Sequence, residues 1–396
     1  MNPIANDGAT PTDLIACART LAPRIMAAAP AIEADMELPP DVVAGLHEAR
    51  LFRMLLPRTC GGYQIEPAVF FEVVEALAQA DASVAWCVGQ AAGCSMAAAF
   101  LAPEVAHEIF GGASAVMASG PPSRNARAVK CDGGYRVTAN WSLASGGRHS
   151  TWFGGHSAVC TQDGAPLACP DGKPVIRTMM FPRSATRLTP NWDVIGLRGT
   201  GSDDYAVDNL FVADAFTFAR EAPEDRRDPS WLYEFSGLNM FGVAFAATAL
   251  GLGRASLDDF VALAGQKMLM GQTRLVRESA SNQLQLGLAE AKLRSARAFL
   301  LTTLREVGAA AASNGCLTRE ERVGLRLATT WAIHQGRDVV DFAYNAAGAT
   351  ALYKGNAIER RFRDVHAVTQ HVQAGMAVFE TMGQALLGIP VQTNLL

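Results

Sequence analysis

The sequence predicts an α+β multidomain protein: an N-terminal α-helical domain, a small central antiparallel β domain and a C-terminal four-helix bundle. Three observations predict it. Apolar residues recur at helical spacing as far as about residue 110. Near Gly111 the pattern changes to short alternating runs divided by Gly and Pro. After the charged, proline-containing stretch "REAPEDRRDPS" (220–230), helical spacing returns and continues to the end. The boundaries read as 1–112, 113–222 and 228–396. A chain of 396 residues exceeds the ~100–200 of a typical domain, so more than one unit is expected.

In chain order, "LPPDVVAGLHEARLFRML" opens a helix with Pro-Pro-Asp, and "LPRTCGGYQIEP" is a loop with a Gly-Gly turn. "AVFFEVVEALAQADASVAWCVGQAAGC" reads as two helices, with Asp81 or Ser83 capping the second. "YRVTANW", "STWFGGHSAVC", "PVIRTMMFP" and "YAVDNLFV" are the clearest strands. The turns "CDGG", "TQDG" and "CPDGKP" suit an antiparallel barrel or sandwich, not βαβ units. Four long helices follow, at 231–265, 272–313, 318–349 and 357–387, and their short connections imply a bundle.

Bulk properties exclude several classes. A formal charge of −4 leaves no basic footprint for nucleic acid. The eight cysteines are scattered without a C-x-x-C, so they read as free thiols of a cytoplasmic protein, not as disulfides or a zinc site. The N-terminus has neither the basic nor the apolar region of a signal peptide. Two stretches, 82–103 and 235–253, carry no charge, but they are rich in Gly, Ala, Ser and Cys. They read as helices buried on all sides, and no membrane partner is expected.

The stretch "RDVHAVTQHVQAG" (363–375) carries two of the seven histidines. On a helix turning about 100° per residue, His366 and His371 point ~140° apart, whereas helical zinc pairs use i, i+4. No metal is therefore expected, and at most one ring faces a buried site.

Domain order and three strings together resemble the acyl-CoA dehydrogenase superfamily across nearly the whole chain. These are "GLRGTGSDDYAVDNLFV" (196–212), "GGYRVTANWSLASGG" (133–147) and "AYNAAGATALYKGNAIERRFRDVHAVTQH" (343–371). In many dehydrogenases of that superfamily the Arg-Asp pair precedes a catalytic glutamate in a pattern like R-D-x-x-x-x-x-x-Y-E-G. Laid on this chain, the Tyr falls on His371 and the Glu on Val372, which cannot accept a proton. Two motifs, R-D-x-H-x-x-x-x-H (Arg363, Asp364, His366, His371) and W-x-x-x-S-G (Trp141, Ser145, Gly146), resemble the two-component reduced-flavin-dependent monooxygenases instead. Those relatives include the aromatic and steroid-phenol hydroxylases and the dibenzothiophene monooxygenases.

That resemblance implies an oxygenase component using reduced FMN or FAD and O2 through a C4a-(hydro)peroxyflavin to oxygenate a small organic molecule, with no metal. A separate flavin reductase would supply the reduced flavin, since no G-x-G-x-x-G follows a strand. It implies catalytic roles for His371 and Ser145, flavin contacts from Trp141, Ser145, Gly146, Ser119, Arg363 and Asp364, and a substrate pocket with Trp86, Cys94 and His371. A hydroxyl at Ser145 suits holding a flavin N5 proton, and an imidazole suits proton transfer near neutrality. A homotetramer is implied too, with the small-residue helix "GVAFAATALGLGRAS" suited to close contacts in the bundle.

Phenol-hydroxylating relatives tend to carry a histidine eight residues after the tryptophan of S-x-x-W. Here Cys94 stands there, a poor holder of a phenolate. The alternative function is an acyl-CoA dehydrogenase or oxidase with FAD and a relocated carboxylate, for which Glu234, Asp258 and Asp259 are candidates. Structural roles also remain open: His371 as a packed helix histidine, Ser145 and 200–202 as turn residues, Trp86 as a core aromatic, and Arg363 with Asp364 as an ion pair. His149 and His156, near β-domain turns, are expected at the solvent surface.

Overall fold

The computed structural model describes residues 11–170, 172–219, 225–268, 271 and 273–391. The N-terminal stretch, residues 220–224 of the charged linker and part of the break at 264–272 lie outside these. Five helices come first: α1 (Pro11–Asp35), α2 (Pro40–Glu48), α3 (Pro67–Ala80), α4 (Ala82–Ser95) and α5 (Pro103–Phe110). Eight strands follow: β1 (Met117–Ser119), β2 (Arg127–Cys131), β3 (Gly134–Ala144), β4 (Trp152–Cys160), β5 (Ile176–Pro182), β6 (Arg187–Thr189), β7 (Asp203–Ala213) and β8 (Thr217–Phe218). Among the remaining described residues the regular elements are helices: α6 (Gly237–Ala264), α7 (Ala280–Asn314), α8 (Arg319–Ala347), α9 (Ala357–Thr369) and α10 (Met376–Leu386).

The β region is mixed rather than purely antiparallel. The order is β6-β7-β3-β2-β4-β5-β8, and both β1 and β2 lie parallel to β4. Strands β2 and β3 form a hairpin, β3 gives its other edge to β7, and β4 crosses back to the free edge of β2. Direction alternates along the chain, so the third strand placed beside the first must run parallel to it. Alternation of apolar residues signals a strand and carries nothing about its neighbour's direction.

The N-terminal and C-terminal helices share one core. Residues from α1, α3 and α4 pack with α6, α7 and α8 in a single buried cluster. Helix α6 is its axis, touching α3, α4, α8 and α9. The two long uncharged stretches fall in the α4 region (Ala82–Phe100) and in the first part of α6, and the apolar window of each is 89% buried inside the protein. The small residues of α6 allow close helix contacts within the chain. Gly89 of α4 shows the closeness: a Cβ there would lie 2.6 Å from the Cβ of Ala244.

The last expected helix, 357–387, is two helices with a break at His371. Helix α9 ends at Thr369, and His371 is extended (φ −71°, ψ 145°), opening a single 3-10 turn before α10. Tertiary hydrogen bonds hold the break. Thr330 of α8 donates to Gln373 O at 3.0 Å, and Gln373 Nε2 donates to Leu238 O at 3.1 Å. The 140° argument therefore does not apply to His371, though the two rings do face different surroundings. His366 meets the carboxylate of Asp341 at 2.8 Å and lies 4.5 Å from the Phe362 ring.

Candidate active site

A cavity of about 460 Å³ opens where the end of the β sheet meets α4, α6 and the break after α9. That size suits a small-molecule site. Asp81 caps α4 by accepting hydrogen bonds from the backbone N–H groups of Ser83 (2.9 Å) and Val84 (3.2 Å). The helix then turns Trp86, Gln90 and Cys94, spaced i, i+4, i+8, toward the cavity. Trp86 stacks on Phe245 of α6 with ring centroids 4.0 Å apart.

Ser145 lines the cavity from the turn after β3. Its Oγ accepts the Trp86 indole N–H at 3.0 Å and meets Ser202 Oγ at 2.7 Å. Ser202 meets Thr200 Oγ1 at 2.7 Å, and Thr200 donates to Leu197 O at 2.8 Å. The two ends set the direction of the whole chain. Indole N–H can only donate, and each hydroxyl has one proton. Thr200 therefore takes its bond from Ser202, and Ser202 takes its own from Ser145. Ser145 is left with one unused lone pair, so toward the cavity it is an acceptor.

Two non-glycine residues here have left-handed backbones, Leu143 (φ 63°) and Leu197 (φ 53°), and both line the cavity. Such conformations cost about 1–2 kcal/mol and persist where surrounding contacts hold them. Leu197 is held by Asp364 Oδ1, which accepts its backbone N–H at 2.7 Å. Arg363 donates to Ile195 O at 2.6 Å while paired with Glu33 (2.7 Å) and Glu359 (2.6 Å). The Arg-Asp pair thus stands behind the wall and pins the turn carrying Leu197 and Thr200, rather than meeting the cavity itself. Gly196 permits the approach, because a Cβ there would lie 2.2 Å from Arg363 O. Gly196→Ala is expected to destabilise the fold by about 1–3 kcal/mol and to weaken flavin binding, as measured by denaturant unfolding and flavin titration.

Asp364 is fully buried. Burial first, and then the Asp81 carboxylate, push its pKa up to about 7. In the unfolded chain an aspartate titrates near ~3.9. The folded state therefore holds the proton more tightly, and its stability falls as pH rises from about 4 to about 7, by ~1.4 kcal/mol per unit of offset. Asp364→Asn keeps the acceptor for Leu197 and removes the titration. Its thermal midpoint is expected to drop less than that of the unaltered protein between about pH 5 and about pH 8, and an equal drop would refute the assignment.

His371 lines the cavity, 4.3 Å from the Phe245 ring and edge-on to Trp86 at 5.8 Å. Burial, and next the Arg326 charge, lower its pKa to about 4. The ring is neutral at neutral pH. Its Nδ1 accepts the Gln373 backbone N–H at 3.2 Å, which assigns the hydrogen to Nε2.

Ser119, Ser145, Trp86, Cys94 and His371 all line one cavity, and Trp141 and Gly146 do not. Trp141, expected on the cavity wall, lies in the β-domain core against Tyr205 (5.0 Å) and donates to His156 O at 3.0 Å. A strand residue two or four positions along shares its face, and this face is the inner one. Gly146 (φ 74°) turns the chain and donates to Thr200 O at 2.8 Å.

Of the two β-domain histidines, His156 is buried and His149 half-buried, so neither is exposed as expected. His156 is buried on the cavity wall between Thr178 (2.8 Å) and Ser119 (3.3 Å). His149 packs by Phe52, and burial lowers its pKa to about 4. Sequence reasoning also missed Gln90, Thr178 and Arg322 as cavity residues; only Gln90, four after Trp86, carried a signal. Of the three relocated-base candidates, Glu234 lines the cavity but is held by Arg226 at 2.5 Å. Asp258 pairs with Arg254 at 2.8 Å and Asp259 with Arg361, both away from the cavity.

The lining fits a flavin ring system. Its apolar rings flank a wall of hydroxyls (Ser119, Ser145, Thr178, Thr200, Ser202), and the free lone pair of Ser145 suits an N–H such as N5–H of a reduced flavin.

Residues 243–375 match the family model of the acyl-CoA dehydrogenase C-terminal domain. An indole-3-acetate monooxygenase of Pseudomonas putida is 26% identical over 351 residues, 88% of this chain and 87% of that protein. The oxygenase subunit HsaA of a flavin-dependent monooxygenase of Rhodococcus jostii is 26% identical, over 84% of this chain and 87% of its own. XiaF from Streptomyces sp., solved with FADH2 and glycerol, superposes with a TM-score of 0.88 at 20% identity, covering 96% of each chain. Over residues 243–375 the chain thus matches the acyl-CoA dehydrogenase C-terminal domain, and over most of its length it is similar to flavin-dependent monooxygenases.

Proposed function

We propose that this protein is the oxygenase component of a two-component system, taking reduced FMN or FAD from a separate reductase to oxygenate a small planar aromatic molecule with O2. The observation that carries it is the meeting of Ser145 and His371 on one cavity lined by Trp86. Bound in its reduced form, the flavin supplies the two electrons that activate oxygen. Ser145 holds an N–H donor through its free lone pair and, being tied to Trp86 and Ser202, does not turn to release it. His371 presents Nε2–H as a neutral donor to the reacting oxygen or the substrate. Trp86, Phe235 and Phe241 exclude water and bind a ring. Cys94 on the same wall disfavours a phenolate and favours attack at another carbon, nitrogen or sulfur.

The relatives' names support the reading. In our reading Ser119 joins Ser145 as a flavin contact, while Arg363 and Asp364 act by holding 195–200 in place. We assign the protein to the cytoplasm as a homotetramer with the division 1–112, 113–222 and 228–396.

The test is an oxygen pulse onto protein loaded anaerobically with reduced FMN or FAD. A transient absorbing unlike either oxidised or reduced flavin is expected, and substrate should suppress peroxide release. Direct reoxidation, with peroxide unaffected by any aromatic tried, would sink the proposal. The second reading, an acyl-CoA dehydrogenase or oxidase, is favoured by Glu234 on the cavity wall. It requires bound oxidised FAD to bleach when an acyl-CoA is added without oxygen.

A further inference from the structure

The charges around the cavity do not balance. Arg226 and Glu234 neutralise each other on its wall, and His371 meets the neutral Gln373 backbone. Arg322 also lines the cavity, from α8. Among the described residues no carboxylate pairs with it. The same holds for Arg326, four residues on and therefore on the same face of α8. Glu321, the acid beside Arg322, is turned away to cap α8, where it accepts the Thr318 N–H at 2.6 Å. Like charges at this spacing repel. Burial lowers the Arg326 pKa to about 10, and its charge is felt at His371. Two cations side by side, one at the cavity wall and one half-buried behind it, lack the anion that such groups ordinarily pair with.

Other parts of the lining are aromatic. Trp86, Phe235 and Phe241 belong to it, and His371 lies edge-on to Trp86 while the charge of Arg326 lowers its pKa. An apolar ring body and one anionic end would satisfy both kinds of lining. We infer that Arg322 and Arg326 form the anion-recognising end of the substrate site, so that the molecule oxygenated is an aromatic acid whose carboxylate lies beyond His371. Arg322 makes the contact. Arg326 acts through it, as a positioning residue and a second positive charge. The inference rests on the oxygenase reading for its substrate, and it adds the charge that this substrate must carry.

The test compares indole-3-acetate with its uncharged twin, indole-3-acetamide, by equilibrium titration of the FMN-loaded full-length protein. The acid is expected to bind at least about tenfold more tightly than the amide, as a charge-assisted contact allows. Arg322→Gln should reduce that preference to within about twofold by weakening the acid alone, and Arg326→Gln should reduce it less. Unchanged amide binding shows that each variant is folded with its cavity intact. Equal binding of acid and amide, binding of neither, or equal weakening of both by Arg322→Gln would overturn the inference. A phosphate of the flavin is the rival anion, so FMN and riboflavin are titrated in parallel. Loss of the preference for FMN over riboflavin in Arg322→Gln would reassign the site to that phosphate and likewise overturn it. An oxygen pulse on the same samples separates the two readings. Charge discrimination without an oxygen transient would sink the oxygenase and leave the anion site standing.

Discussion

Replacing His371 by alanine is expected to lower substrate oxygenation by about 10²–10⁴-fold, the range for losing one positioned proton-transfer group. Reduced-flavin affinity should change little, because the ring touches Trp86 and Phe245 and its Nδ1 is already occupied by the Gln373 N–H. Stopped-flow and product analysis would separate the two effects. Flavin oxidation should continue while product yield falls and peroxide rises. The pH dependence of the unaltered enzyme adds a sharper check. With a pKa near 4 in the folded protein, His371 stays neutral down to acid pH. No loss of rate is then expected on crossing the ordinary imidazole range near ~6.5. A rate that falls there and stays flat in His371→Gln would refute the neutral-donor role, as would an alanine variant within a few-fold of full rate.

Replacing Ser145 by alanine is the second large effect. It removes the acceptor of the Trp86 N–H and the donor to Ser202 in one step. Leaving buried polar groups unsatisfied costs about 1–3 kcal/mol, visible as a lower denaturant midpoint. Loss of the acceptor facing the cavity is expected to speed unproductive flavin reoxidation by about tenfold, the worth of one such hydrogen bond, and to raise peroxide at the expense of product. Ser202→Ala separates the causes. Ser145 keeps the Trp86 bond but is freed to rotate its proton into the cavity, so stability should suffer less than coupling. If Ser145→Ala lost stability yet remained fully coupled, Ser145 would be a structural residue only.

Much of this was legible in the chain. Helical spacing marked the two helical parts, and alternation with Gly-Pro punctuation marked the strands between them, because each periodicity reports directly which face of an element is buried. The spacing of Trp86 and Cys94, eight apart, put both on one helical face. The motifs around Ser145 and His371 pointed to two side chains that do line one cavity. The failures share one cause. Trp141 was assigned to the cavity although a strand has two faces and the motif does not say which is inner. His149 and His156 were set in solvent because turn-rich sequence suggests exposure, while neighbours distant in sequence bury His156 and half-bury His149. Arg322 stands in a helix whose local pattern reads as ordinary surface.

By itself, the sequence determined the order and type of most elements and the residue types available for flavin and proton chemistry. Local periodicity, capping and turn chemistry depend on neighbours a few positions away, so they survive in a linear reading. Only the tertiary structure decided where the last helix breaks, since the bonds holding His371 out of it come from Thr330 and Gln373's reach to Leu238. Only it decided that Asp364 serves the turn at Leu197, 167 residues away, and that one proton chain runs from Trp86 through three hydroxyls to that turn. Hydrogen-bond direction and charge balance are properties of groups brought together by folding, and no spacing along the chain encodes them.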